Sequence, residues 1–316
     1  MNRFFTAIFL ALFLVVSVVG SSSAATRLTV LLDWFINPDH GPLLVAQEKG
    51  FFKERGLEVE FIAPANPNDP PKLVAAKKAD IAVSYQPQHQ MQVAEGLPLV
   101  RIATLVATPL NSLVVLADSG IRQIGDIKGK TIGYSVGGFE TILLKVMLAK
   151  AGLGLDDVKL VNVNFSLSPS LISGKVDAVI GAFRNFELNQ MEIEKHPGYA
   201  FFVEEHGVPS YDELILVAHR DRVADDDLRK FVDALEAGAQ YLVNHPDESW
   251  KLFISNGREE LDDTLNRLAW RDTVPRFALR PGALDRKRYR NFARFLKEQN
   301  GIETGDDLRM WAVELD

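Results

Sequence analysis

The segment Leu171-Ile172-Ser173-Gly174-Lys175-Val176-Asp177-Ala178-Val179-Ile180-Gly181-Ala182-Phe183 decides the fold. It reads as a helix end, a turn carrying Asp177 and a strand apolar on both faces. The passage Leu73…Ala79-Asp80-Ile81-Ala82-Val83 has the same order and polarity. A helix, an Asp turn and an apolar strand are common anywhere, so this match alone is weak duplication. Working outward strengthens it. In the first half, Leu28 to Leu32 is an apolar strand. A helix is expected from Asp39 to Phe52, with Leu43, Leu44, Val45 and Ala46 as its apolar side. Gly50 and Gly56 punctuate its end, Leu57 to Ile62 alternates as a strand, and Pro64 to Pro71 is a turn. A short helix, Lys72 to Lys78, leads into a strand from Asp80 to Tyr85. The second half repeats the order: strand Lys130 to Tyr134, helix Phe139 to Ala151 stopped by Gly152, strand Val158 to Val163, then Asp177 to Phe183.

Continuous apolar strands alternating with helices make mainly parallel sheets covered on both faces, an α/β class with two lobes. Thr108 to Ser112 precedes the apolar run Leu113 to Ala117, and Tyr211-Asp212-Glu213 precedes Leu214 to Ala218. Extended chain at those places crosses from one lobe to the other and back. The expected division is 26–110 plus 216–316 for lobe one and 111–215 for lobe two. Asp225 to Asp316 is helical by pattern, with Asp225-Asp226-Asp227 suited to a positive helix start.

A chain of 316 residues holds roughly two domains at ~100–200 residues each. Its 47% hydrophobic and 24% charged residues argue against intrinsic disorder. A net charge of −7 argues against a general nucleic-acid binder. Cysteine is absent. That excludes disulfides, thiolate-ligated zinc or iron–sulfur sites, a thiol nucleophile, and a lipoprotein anchor on a Cys after the leader. No paired-His metal motif, G-x-S-x-G elbow or Walker-A sequence is present, so no cofactor and no metal is expected.

Residues 1–25 have the layout of a cleavable secretory signal. A short basic start ends at Arg3, an apolar run covers Phe4 to Val19, and Gly20 to Ala25 are small. The apolar run has sixteen residues, and a bilayer span needs ~20. The expectation is export through a cleaved leader, without a lipid anchor.

In open α/β sheets, ligands bind beyond the carboxyl ends of the strands. Four segments qualify here: Asp33 to Asn37, Tyr85 to Gln88, Ser135 to Glu140, and Phe183 to Glu187. All are rich in aromatic and amide groups. Trp34 serves core packing or stacking on a flat ligand equally well. Asn37 suits a helix cap as well as a ligand, and His40 is more often a surface or capping residue. Tyr85 and Gln86 point to the cleft. Gly137-Gly138 before a helix exposes N–H groups to an anion, but Glu140 in the first turn opposes a strong one. Glu187, flanked by Phe183 and Phe186, needs a donor partner in a partly dry site. An amidine-like edge, ring N–H beside NH₂, supplies two parallel hydrogen bonds, whereas a salt bridge with Arg184 is the bland alternative. Asp33 has the same ambiguity.

Leu32-Asp33-Trp34-Phe35-Ile36-Asn37-Pro38-Asp39-His40, followed by Val45 to Phe52, resembles the opening of extracytoplasmic binding proteins for thiamine pyrimidine precursors. Val83-Ser84-Tyr85-Gln86 and Gly181 to Glu187 share the resemblance, which runs from Leu28 to Arg220. Ile36 departs from it, standing where the family has Pro. The resemblance implies a type II periplasmic binding protein serving an ABC importer and its permease, a monomer in the periplasm. It implies a small heterocyclic ligand such as hydroxymethylpyrimidine or its formylamino relative. Trp34 would stack on the ring, Asn37 and Tyr85 would hydrogen-bond to it, and Glu187 would accept from its amino edge. The same family includes fungal pyrimidine phosphate synthases that use iron through a cysteine-rich segment. This chain has no cysteine, so no enzyme is expected. A sulfonate or nitrate binder is the remaining alternative.

Overall fold

The computed structural model describes residues 25–300 and 307–315. The expected signal segment, apart from Ala25, lies outside the described residues. The chain begins with β1 (Thr26–Leu31), a short turn of 3-10 helix (Pro38–His40), α1 (Gly41–Glu48) and α2 (Phe51–Glu54). The single helix expected from Asp39 to Phe52 is therefore broken. Gly50 takes φ +79 between its parts, a left-handed step that glycine makes without steric cost. Next come β2 (Leu57–Ile62), α3 (Pro70–Ala75), β3 (Ile81–Ser84), α4 (Gln86–Ala94) and β4 (Leu99–Val106). The second lobe holds β5 (Asn111–Leu116), β6 (Thr131–Tyr134), α5 (Phe139–Lys150), β7 (Lys159–Asn162), α6 (Leu167–Ile172), β8 (Ala178–Phe183), α7 (Glu187–Ile193) and β9 (Gly198–Phe202). The chain returns through β10 (Leu214–His219) and ends in α8 (Asp226–Asn244), α9 (Pro246–Phe253), α10 (Thr264–Thr273) and α11 (Arg286–Asn300).

The two sheets have one wiring. Sheet one runs β2-β1-β3-β10-β4 and sheet two runs β7-β6-β8-β5-β9. In each, three strands pair in parallel and the fourth position is an antiparallel strand that has just crossed between lobes. Leu214 and Ile215, placed by the sequence reading in lobe two, pair in sheet one with Val106 and Thr104. The physical reason is Glu213. Its buried carboxylate accepts the N–H groups of Leu110 (2.6 Å) and Asn111 (2.8 Å), so both crossings are pinned together just ahead of β10.

The Asp turns match atom for atom. Asp80 accepts the Thr29 N–H at 2.7 Å and returns its own N–H to the Thr29 carbonyl. Asp177 does the same to Thr131, at 2.8 Å each way. Each turn follows a left-handed residue, Lys77 at φ +57 and Gly174 at φ +70, that closes the preceding helix. The carboxylates hold the starts of β3 and β8 in register with the neighbouring strands β1 and β6. The strands' far ends, with the ligand segments, are thereby aimed at the space between the lobes.

Candidate ligand cleft

An enclosed cleft lies between the lobes. Its lining is Asp33, Trp34, Asn37, Asp39, Tyr85, Ser135, Val136, Glu140, Leu167, Gly181, Phe183, Phe186 and Glu187. Each of the four strand-end segments contributes to it. Asp39, Leu167 and Gly181 are the lining residues that lie outside them.

On the lobe-one side, a buried chain of hydrogen bonds fixes the first segment. The Asn37 N–H points at Nδ1 of His40 (3.3 Å), so Nδ1 accepts and Nε2 carries the proton to Asp33 Oδ1 at 2.9 Å. The Tyr85 hydroxyl donates to Asp33 Oδ2 at 2.8 Å. Burial, and then the Asp33 charge, hold the Tyr85 phenol well above its usual pKa, so it stays a donor. Both Asp33 oxygens are thus committed within the protein. His40 is fully buried and does not line the cleft. It orients Asp33, and through it Tyr85. Asn37 lines the cleft, yet its Oδ1 accepts the Asp39 N–H (2.8 Å) and its Nδ2 donates to the Phe35 carbonyl (3.0 Å). It caps the turn that presents Asp39.

Gln86 also departs from expectation. It is buried in the first turn of α4, and its Oε1 accepts the Asp212 N–H at 2.8 Å, tying α4 to the returning chain. Gly137 and Gly138 are exposed. The Gly137 N–H donates to Asn68 Oδ1 of lobe one at 2.9 Å. The N–H groups of Ser135 and Val136, in the loop before α5, are taken by Glu140 Oε2, at 2.9 and 3.1 Å. These two loop N–H groups are therefore occupied by the chain's own carboxyl group.

Aromatic rings close the sides. Tyr85 stacks on Phe139 of lobe two with centroids 5.0 Å apart, and Trp34 meets Phe165 edge-on at 4.6 Å. Glu187 opens α7, and its Oε2 accepts the Phe183 N–H at 2.7 Å. Arg184, the alternative partner for Glu187, pairs instead with Glu204 at 2.7 Å. Burial dominates the protonation of Glu140, Glu187 and Asp39. Glu140 is pushed up to about 8, Glu187 to about 7 and Asp39 to about 6. Asp39 is held by Asn185 of lobe two, whose Nδ2 donates to Oδ1 at 2.6 Å, and by Thr273 of α10 at 3.0 Å. Sequence reading gave Asp39 and Asn185 no ligand role of their own and had no signal for Thr273. Among the described residues, no group of acidic, His or Cys side chains is arranged to hold a metal, and no helix is long and apolar enough to cross a membrane.

Two matching α/β lobes, two crossings and an enclosed cleft at the strand ends define the type II periplasmic-binding-protein fold. An alkanesulfonate-binding protein of Xanthomonas axonopodis pv. citri shares it at TM-score 0.69 and 14% identity, over 89% of this chain and 95% of that one. The chain belongs to the NMT1/THI5-like family, whose pattern matches residues 37–249. It is 54% identical to a putative thiamine biosynthesis protein of Haemophilus influenzae, over 93% of this chain and 94% of that one. It is 35% identical to a formylaminopyrimidine-binding protein of Halalkalibacterium halodurans, over 76% and 73%. A 4-amino-5-hydroxymethyl-2-methylpyrimidine phosphate synthase of Legionella pneumophila is 28% identical over 82% and 83%.

Proposed function

We propose that this chain is the extracytoplasmic solute-binding component of an ABC importer for a thiamine pyrimidine precursor. The ligand is hydroxymethylpyrimidine or its formylaminomethyl relative. The observation that carries the reading is Glu187. It is buried, lines the cleft together with Trp34, Phe183 and Phe186, and accepts the Phe183 N–H through Oε2. A 4-aminopyrimidine edge presents an NH₂ donor beside a ring nitrogen. A carboxyl with a pKa of about 7 shares one proton with that nitrogen while accepting from the NH₂, giving two parallel hydrogen bonds. The name of the Halalkalibacterium relative supports this ligand class. Delivery to a membrane permease, a monomeric state and a periplasmic location after removal of residues 1–25 belong to the same reading.

A sulfonate or nitrate is disfavoured by the cleft itself. Its lining holds four carboxylates and no basic side chain, and Glu140 already takes the Ser135 and Val136 N–H groups of the loop before α5. Pyrimidine synthesis is disfavoured by the absence of cysteine. Thermal unfolding tests the assignment. Either pyrimidine at a hundredfold excess over Kd adds ~2.7 kcal/mol of stability. A shift with taurine or nitrate and none with pyrimidines refutes the ligand and leaves the fold. Product formation from pyridoxal phosphate and iron refutes the binding-only role.

A further inference from the structure

Sequence reading gave Phe165 no role, and it is not among the residues that line the cleft. The structure sets it across the gap between the lobes, against two rings of lobe one. Its ring centroid lies 4.6 Å from that of Trp34 and 4.7 Å from that of Phe35. Trp34 also packs on the lobe-two apolar cluster that contains Val163, Leu167 and Leu171. One side chain of lobe one therefore lines the cleft and leans on the other lobe.

The aromatic contacts that span the cleft differ in their access to water. Tyr85 and Phe139, stacked at 5.0 Å, are only 4% and 1% exposed. Trp34 and Phe165 are half-buried, and Phe35 beside them is 54% exposed. The second group is where an aromatic wall of the cleft meets solvent. The loop that carries Phe165 is tied to the cleft itself. Asn164 takes φ +52, a left-handed conformation that Asn tolerates, and its N–H donates to Asn162 Oδ1 at 2.8 Å. The Asn164 carbonyl accepts the hydroxyl of Ser135, a lining residue.

An indole at a cleft margin keeps several rotamers unless a neighbour blocks them, and freezing it on binding weakens affinity. Phe165 blocks them only while the lobes are together, because it stands on the other lobe. We propose that Phe165 is the door of the cleft, a positioning residue that seats Trp34 against the bound ring on closure and must withdraw before the ligand leaves. This deepens the proposed function and rests on it. The contact forms after the ligand has entered, so its loss falls on release rather than on association.

Stopped-flow fluorescence with 4-amino-5-hydroxymethyl-2-methylpyrimidine tests this. The chain has four tryptophans, and Trp250, Trp270 and Trp311 are buried away from the cleft lining, so the ligand signal reports Trp34. In Phe165→Ala, release after rapid dilution is expected to be about ten- to hundredfold faster, with the association rate within about threefold of wild type. Phe165→Tyr keeps the ring and should release at close to the wild-type rate. If Phe165→Ala fails to fold, Phe35→Ala decides: it strips an exposed ring from the same contact and should speed release about three- to tenfold. Wild-type release from whichever of these alanine variants folds, or a loss of affinity carried by association alone, overturns the inference and leaves the pyrimidine reading intact. No binding to the wild-type protein overturns both.

Discussion

Asn185 of lobe two donates from Nδ2 to Oδ1 of Asp39 in lobe one across 2.6 Å, and both side chains are buried. The bond exists only while the lobes are together, so it reports closure. Asn185→Ala leaves Asp39 short of a donor in a dry site. The expected cost is ~1–3 kcal/mol in urea denaturation and a roughly tenfold weaker ligand affinity. Unchanged values for both would remove Asn185 from the closing contacts.

Buried carboxylates predict the pH dependence. Asp39 is raised to about 6, Glu187 and Glu213 to about 7, and Glu140 to about 8, each mainly by burial. Between the ordinary carboxylate range and those values, the folded protein holds protons that the unfolded chain has released. Unfolding therefore releases protons, and stability falls as pH rises from about 5 to about 8. Scanning calorimetry of the ligand-free protein should show Tm decreasing over that window. Glu140→Gln removes the most alkaline part of the slope. A Tm that rises from pH 5 to 8 would contradict this.

Gly181 sits at φ +102, and a methyl there would overlap the Glu140 carboxylate. Gly181→Ala is expected to cost ~1–3 kcal/mol from backbone strain alone. It should also weaken ligand binding, because Glu140 must leave Ser135 and Val136. Full stability with full affinity would show that the strand relaxes freely here.

The paired Asp turns make a quantitative claim about duplication. Asp80→Ala and Asp177→Ala each release one strand N–H that water reaches in part, that of Thr29 within β1 and that of Thr131 at the start of β6. Each should cost ~1 kcal/mol in chemical denaturation, and the two should add because they lie in different sheets. Unequal or strongly coupled costs would mean that the turns do different jobs.

Sequence legibility followed apolar patterning. Strands β1, β3, β6 and β8 and helix α5 were readable because they are continuous or periodic in apolar residues. Helix α4, with the sequence Gln86-Pro87-Gln88-His89-Gln90-Met91-Gln92-Val93-Ala94, has no apolar stripe and gave no helical signal. It is buried through polar contacts, such as Gln90 to the Tyr289 carbonyl at 3.1 Å, which hydropathy does not encode. The cleft segments were visible as strand ends, but the direction of each side chain was not. His40 and Gln86 face inward because a carboxylate and a backbone N–H claim them. Asp39 faces the ligand space because Asn37 caps the turn beneath it. Thr273 arrives from α10, far away in the chain, and only the tertiary fold brings it to Asp39.

The central claim is that Glu187 binds an aminopyrimidine edge. Isothermal titration of the wild-type protein and of Glu187→Gln with 4-amino-5-hydroxymethyl-2-methylpyrimidine tests it most directly. The prediction is one site per chain in the wild type and an affinity roughly ten- to hundredfold lower in the variant, since a charge-assisted pair is lost. Equal affinities, or no heat with wild type at any concentration reached, would contradict the account.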